Sequence, residues 1–195
     1  MDSICIYCGS ADGISPEFVR LARSTGSILA RAGLVLIYGG GRTGLMGALA
    51  DAALEAGGQV VGVITESMNT AALAHPALTR LEVTATIHQR KARMYELADG
   101  YIALPGGFGT LDELFETLTW GQIGEHAKPV GLLNVNGYYD PLLKMLDRAV
   151  AEKFLFPEHR RTLLCDSDPQ RLLEAMQNHQ HPHEAVKRWM RQIKQ

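Results

Sequence analysis

Leu34-Val35-Leu36-Ile37-Tyr38-Gly39-Gly40-Gly41-Arg42-Thr43-Gly44 is a short apolar run that breaks into glycine and then enters an alanine-rich segment of helical period, about Thr43 to Ala56. An apolar run without polar alternation is the pattern of a strand covered on both faces, and such strands belong to parallel sheets flanked by helices. A second junction of this kind follows later. Gly100 to Leu104 reads as a strand, Pro105 to Gly109 as a turn, and Thr110 to about Ile123 as a helix.

Working outward, Ser3 to Cys8 reads as a first strand. Ser15-Pro16 sets an N-cap before a proline at the first helical position, and the helical period holds through Ala32 until Gly33 stops it. Gln59 to Ile64 is the next strand. A less regular stretch runs from Thr65 to about Thr79, and strand signal returns at Leu81 to Thr84. The helix from about Ile87 to Ala98 carries Arg90, Lys91 and Arg93. Lys128 to Leu133 is a strand, Pro141 opens a long helix, Thr162 to Cys165 reads as an edge strand, and Asp168-Pro169 starts a last helix. Strand and helix alternate throughout, which predicts an α/β fold: a mostly parallel sheet with helices on both faces. One domain over residues 1–195, with a helical extension from about 168, accounts for the 195-residue chain.

Composition excludes several classes. Hydrophobic residues at 46% and charged residues at 21% are ordinary globular values and argue against wholesale disorder. A net charge of −2 gives no broad nucleic-acid footprint. The longest apolar stretches, such as Leu34 to Tyr38, are far too short to span a bilayer, and the start, MDSICIYCGS, does not read as a secretion signal. Three cysteines, Cys5, Cys8 and Cys165, suit a reducing compartment and hence a cytoplasmic location. Cys5 and Cys8 have redox spacing, yet they lie in one expected strand, where residues three apart point to opposite faces.

The two glycine turns are the chemical signal. Glycine lets a ligand approach the bare chain, and the helix that follows offers free N–H groups and a positive dipole end, a seat for phosphate. In a parallel sheet such turns lie at the carboxyl edge of the strands, where ligands bind. Gly39, Gly41 and Gly44 fit G-x-G-x-x-G, but after the apparent second strand, not the first, and Glu66, at roughly the distance of a ribose-binding acid, falls just outside its strand. Neither turn ends in Gly-Lys-Ser/Thr, so neither is a Walker loop. After the second turn comes Thr110-Leu111-Asp112-Glu113, and two readings stand there. Thr110 and Glu113 are spaced as a capping box; equally, Glu113 one turn beyond a phosphate seat would face the sugar of a bound nucleotide.

Pro105-Gly106-Gly107-Phe108-Gly109-Thr110-Leu111-Asp112-Glu113 resembles the PGGxGTxxE signature of the Lonely Guy family, and Arg90-Lys91-Ala92-Arg93-Met94 resembles its RKxxM element. Gly39-Gly40-Gly41 with Gly44-Leu45-Met46-Gly47 is similar to its glycine-rich segment, and the resemblance runs from Ile4 to about Phe156. It implies a Rossmann-like, doubly wound fold, a homodimer, and hydrolysis of the N-glycosidic bond of AMP or an N6-substituted AMP (a cytokinin riboside 5′-monophosphate) to free base and ribose 5-phosphate. The implied catalytic pair is Arg90 and Glu113. Implied nucleotide contacts are Gly40, Gly41, Gly44, Met46, Arg90, Lys91, Gly106, Gly107, Phe108, Gly109, Thr110 and Thr119. The implied partner is a small-molecule nucleotide, with no cofactor, metal, nucleic acid or membrane. Relatives often carry a glutamate where Ala72 stands, shortly before Ala74-His75, which points to a difference in specificity. Many relatives bear the label "lysine decarboxylase"; this chain has no recognisable pyridoxal-phosphate site and is short for such an enzyme.

Cleaving an N-glycosidic bond builds positive charge at the anomeric carbon. A fixed carboxylate such as Glu113 can stabilise that charge, orient the attacking water or accept its proton. Arg90 can hydrogen-bond the leaving base or hold the ribose, but is a poor proton donor. Arg90, Lys91 and Arg93 lie near a helix start, where positive charge is unfavourable, which favours a ligand over a solvated basic face. His88 reads as surface or second to the site. Leu111, Leu114, Phe115 and Leu118 form a core stripe, with Trp120 at a subunit interface as the alternative to the core. His179, His181 and His183 read as a solvated tail, and Val186, Trp189, Met190 and Ile193 as an amphipathic end that docks on the body. Two rivals remain: a non-catalytic nucleotide or cofactor carrier of the same fold, and a dinucleotide-dependent oxidoreductase.

Overall fold

The computed structural model describes residues 1–181; the expectations for His183 and the amphipathic end lie outside them. Seven strands form one sheet in the order β4-β3-β2-β1-β5-β6-β7. They are β1 (Ser3–Tyr7), β2 (Val35–Tyr38), β3 (Val60–Thr65), β4 (Arg80–Thr84), β5 (Tyr101–Ala103), β6 (Val130–Leu133) and β7 (Leu163–Asp166), and every pairing is parallel. The helices are α1 (Pro16–Arg31), α2 (Gly44–Glu55), α3 (Ile87–Leu97), α4 (Phe108–Ile123), α5 (Asp140–Ala151), α6 (Pro157–Arg160) and α7 (Pro169–Gln177). The expected α/β, doubly wound sheet is what the chain forms, with β7 on an edge.

Alternation along the strands builds two cores. Ile4, Ile6 and Cys8 of the β1 segment and Leu36 and Tyr38 of β2 pack beneath α1, α2 and α7. Cys5, Tyr7 and Ile37 point the other way, into a second core with Met94 of α3, Leu114 of α4 and half-buried leucines of α5. Cys5 and Cys8 therefore serve opposite faces of the sheet, as their spacing requires. α7 buries Leu172, Leu173 and Met176 in the first core.

Strand order reverses between β1 and β5, which pair through Cys5–Tyr101, Ile6–Ile102 and Tyr7–Ala103. Splayed connections at such a switch point open a crevice at the carboxyl ends of the strands. Both glycine turns flank it, one after β2 and one after β5. The irregular stretch between β3 and β4 straps the first turn: Gly41 bridges Ala74, Arg42 N donates to Leu73 O at 2.9 Å and His75 N to Gly40 O at 3.0 Å. Buried His75 pins the strap from beneath through Asp51, 3.1 Å away.

Candidate active site

A cleft of about 730 Å³ opens at the switch point, and among the described residues its charged wall residues are Arg90 and Glu113. Arg90 comes from the first turn of α3, across from α4. Its Nε donates to Val63 O at 2.8 Å and its Nη1 to Glu113 Oε1 at 2.9 Å. Both side chains are more than nine-tenths buried. Gly39 makes this possible: a Cβ there would stand 2.2 Å from Arg90 Nη2. Burial raises the Glu113 carboxyl above its ordinary value, against the opposing pull of Arg90. Buried Cys8, on the same wall, has a thiol pushed far up by desolvation and then by the charge of Glu113, so it is no nucleophile at neutral pH.

The second glycine turn leads into α4 two residues earlier than the sequence suggested. Gly107 is the N-cap, with no side-chain cap, and Leu111 N makes an intrahelical bond to Gly107 O at 3.1 Å. Thr110 is thus inside the helix and buried, and Glu113 reaches Arg90 instead of its own N-terminus. The capping-box reading is corrected: glycine starts the helix, and the Thr–Glu spacing serves the cleft. The amides of Phe108, Gly109 and Thr110 precede the intrahelical ladder. A Cβ at Gly107 or Gly109 would meet no protein atom within 4 Å, so their main chain lies open to a ligand. Gly106 differs: a Cβ there would fall 2.1 Å from Thr110 Oγ1 and 2.8 Å from Gly9 N.

The two turns do not offer the same thing. At the first, Gly44 N donates to Asp12 Oδ1 at 3.1 Å, Leu45 N to Gly9 O at 3.0 Å and Arg42 N to Leu73 O at 2.9 Å. Those three amides are already partnered by the chain, so they are not open to an anion as the second turn's are, while Gly41, Thr43, Leu45 and Met46 supply cleft wall.

Of the sequence-predicted residues, Gly41, Met46, Arg90, Gly106, Gly107, Phe108, Gly109, Thr110 and Glu113 line the cleft. Gly40, Gly44, Lys91 and Thr119 are not on its wall. Gly40 packs against Ile64 and Leu81. Lys91 is held by Asp112 at 2.9 Å and Glu116 at 3.1 Å, and the exposed Thr119 donates to Phe115 O at 2.7 Å. The three basic residues of α3 thus part ways, with Arg93 turned outward onto Glu82 at 2.6 Å. His88 is exposed. Trp120 packs half-buried, edge-on to Tyr95 at 4.6 Å. Sequence reasoning missed Cys8, Met68, Leu73, Ile87 and Tyr138, all on the cleft wall. Cys8 was findable, since the end of the first strand in a doubly wound sheet abuts the switch point. Met68 and Leu73 were not, because the irregular strap carries no period.

A family model described as "Possible lysine decarboxylase" matches residues 46–176. A decarboxylase using pyridoxal phosphate needs a Schiff-base lysine, and among the described residues no lysine lines the cleft. Among curated proteins, the chain is 50% identical over 165 residues to a cytokinin riboside 5′-monophosphate phosphoribohydrolase of Rhodococcoides fascians, covering 84% of this chain and 83% of that one. It is 41% identical over 177 residues to a protein of the same name from Arabidopsis thaliana, covering 91% and 82%. Among solved structures, the molybdenum cofactor binding protein of Rippkaea orientalis superposes with TM-score 0.69 at 26% identity, covering 90% of this chain and 95% of that one. The molybdenum cofactor carrier protein of Chlamydomonas reinhardtii does so with TM-score 0.68 at 21% identity, covering 90% and 96%, a likeness of fold.

Proposed function

Because this chain belongs to the Lonely Guy family, we propose that it is an N-glycosyl hydrolase that cleaves cytokinin riboside 5′-monophosphates to free base and ribose 5-phosphate. The single observation that carries this reading is the buried Arg90–Glu113 pair, 2.9 Å apart, one helical turn beyond an open run of main-chain amides. Three helical residues rise about 4.5 Å, a span that suits a phosphate at the α4 N-terminus and a carboxylate at the sugar. The dianionic phosphate takes the amides of Gly107 to Thr110 and the dipole of α4.

Glu113 then faces the anomeric carbon. Arg90 holds Oε1, which leaves the other oxygen for substrate or water. As the bond to the base lengthens, that carboxylate stabilises the oxocarbenium charge and takes the proton of the attacking water. Arg90 opposes the effect of burial on the Glu113 carboxyl and presents its remaining N–H groups to the departing base or the ribose. The base lies against Met46, Ile64, Met68, Leu73 and Ile87. This apolar wall favours an N6-isoprenoid AMP over AMP itself, by about 0.8 kcal/mol for each buried methylene. Ala72 is exposed beside Leu73 and adds no charge to this end.

Incubating the pure protein with AMP and with isopentenyladenosine monophosphate tests the reading. Release of free base and ribose 5-phosphate, faster from the isopentenyl substrate, is expected. Retention of intact nucleotide without turnover would favour a carrier, the reading that the 26%-identical molybdenum cofactor binding protein suggests. The 41% and 50% identity to named hydrolases weighs against it.

A cytoplasmic homodimer completes the proposal. The cysteines are free, and among the described residues no helix is long and apolar enough to cross a membrane. The α3–α5 layer supports a second copy as its cover: α5 has no buried residue, and Met145 and Phe154 are 64% and 85% exposed.

A further inference from the structure

A main-chain anion seat works only while its N–H groups point at the anion, and a short glycine turn has little of its own to hold them there. In this turn three successive carbonyls are each captured from outside. Leu104 O accepts from Tyr139 Oη at 2.6 Å, Pro105 O from Gly9 N at 3.1 Å and Gly106 O from Tyr138 Oη at 2.7 Å. The two tyrosines are neighbours at the head of α5. Tyr139 is buried and belongs to the core, whereas Tyr138 is 43% exposed and lines the cleft.

Tyr138 is itself anchored. Its ring meets Phe18 edge-on at 5.7 Å and Tyr139 at 4.9 Å. The backbone beneath is fixed by Asn134, whose Oδ1 accepts from Tyr139 N and whose Nδ2 donates to Asp140, both at 2.7 Å. Asn136 also donates to Glu17 of α1. The hydroxyl therefore arrives at Gly106 O from a braced scaffold. The carbonyl of Gly106 and the N–H of Gly107 belong to one planar trans peptide and point opposite ways. Holding the first aims the second. A Gly–Gly peptide rotates easily, and a half-turn would set a carbonyl oxygen where the anion needs a donor.

We infer that Tyr138 is a positioning residue for the phosphate seat, its hydroxyl locking the Gly106–Gly107 peptide with the N–H toward the 5′-phosphate. The inference rests on the hydrolase reading for its substrate, and its test does not depend on turnover. Tyr138→Phe keeps the ring contacts and removes the donor. Titration calorimetry with ribose 5-phosphate is expected to show a Kd raised roughly three- to tenfold, the worth of one hydrogen bond. Binding of free adenine should not change. Hydrogen exchange in the ligand-free protein should quicken over residues 104–110 while Tm stays put. With a nucleoside monophosphate, KM should rise by the same factor with kcat within about twofold. An unchanged Kd for ribose 5-phosphate, or an equal loss for adenine, would overturn the inference. Should the wild type release no base from any monophosphate, the hydrolase reading fails, and the ribose 5-phosphate and exchange measurements still decide the role of Tyr138.

Discussion

Glu113 is a carboxylate buried beside a guanidinium, and two opposing forces set its behaviour. Burial raises its pKa and Arg90 lowers it, with burial dominant. Since the ionised form is the one that stabilises an oxocarbenium ion, activity should fall on acidification at a pH above the ordinary carboxylate range. Arg90→Gln removes the lowering influence, so the Glu113 carboxyl should titrate at still higher pH; NMR titration of that carboxyl in both proteins checks the direction. Glu113→Gln keeps the shape and an acceptor for Arg90. We expect kcat to drop at least about a hundredfold with KM little changed, read as base released per enzyme. Full activity in that variant would reduce Glu113 to a partner for Arg90. The sequence pointed to both residues through their motifs, but not to their contact, because a helix start and a turn 23 positions apart meet only once the sheet order is known.

At the scale of the element, α4 divides its opening glycines between two jobs. Gly106 is packed against Thr110 and Gly9, whereas Gly107 and Gly109 face open space. Gly106→Ala should cost about 1–3 kcal/mol of stability through overpacking. Gly109→Ala, inside the first turn of the helix, should gain up to about 1 kcal/mol from propensity while weakening ribose 5-phosphate binding, because a methyl stands where the anion approaches. Thermal melts and calorimetry on the two variants separate these effects. The strands and long helices were legible because period and glycine punctuation are local signals: β2, α1 and α3 fall within two residues of their expected bounds. The start of α4 was displaced because Thr–x–x–Glu is a good cap in isolation, and only the cleft shows that Glu113 is engaged elsewhere. The strap over the first turn was illegible for a different reason. It is tied down by main-chain bonds at Gly40 and Arg42 and by isolated side-chain bonds from Arg42 and His75, none of which makes a periodic pattern.

At the scale of the whole molecule, the sheet is covered on one side by α1, α2 and α7 and on the other by α3, α4 and α5, and it is this second layer that leaves Met145 and Phe154 exposed. Sedimentation should find a dimer. Phe154→Asp, at a position 85% exposed in the single chain, should shift it toward monomer without lowering the intrinsic fold stability. A monomeric wild type would remove the α3–α5 layer as an interface. The first glycine turn has a consequence at this scale too. A cofactor built from two nucleotides, laid across the switch point, would want both turns vacant, yet Asp12 already caps α2 with a negative charge of the protein's own. The chain thus carries a resident guest in one of its two berths, which accords with the proposed substrate, a ligand bearing a single phosphate.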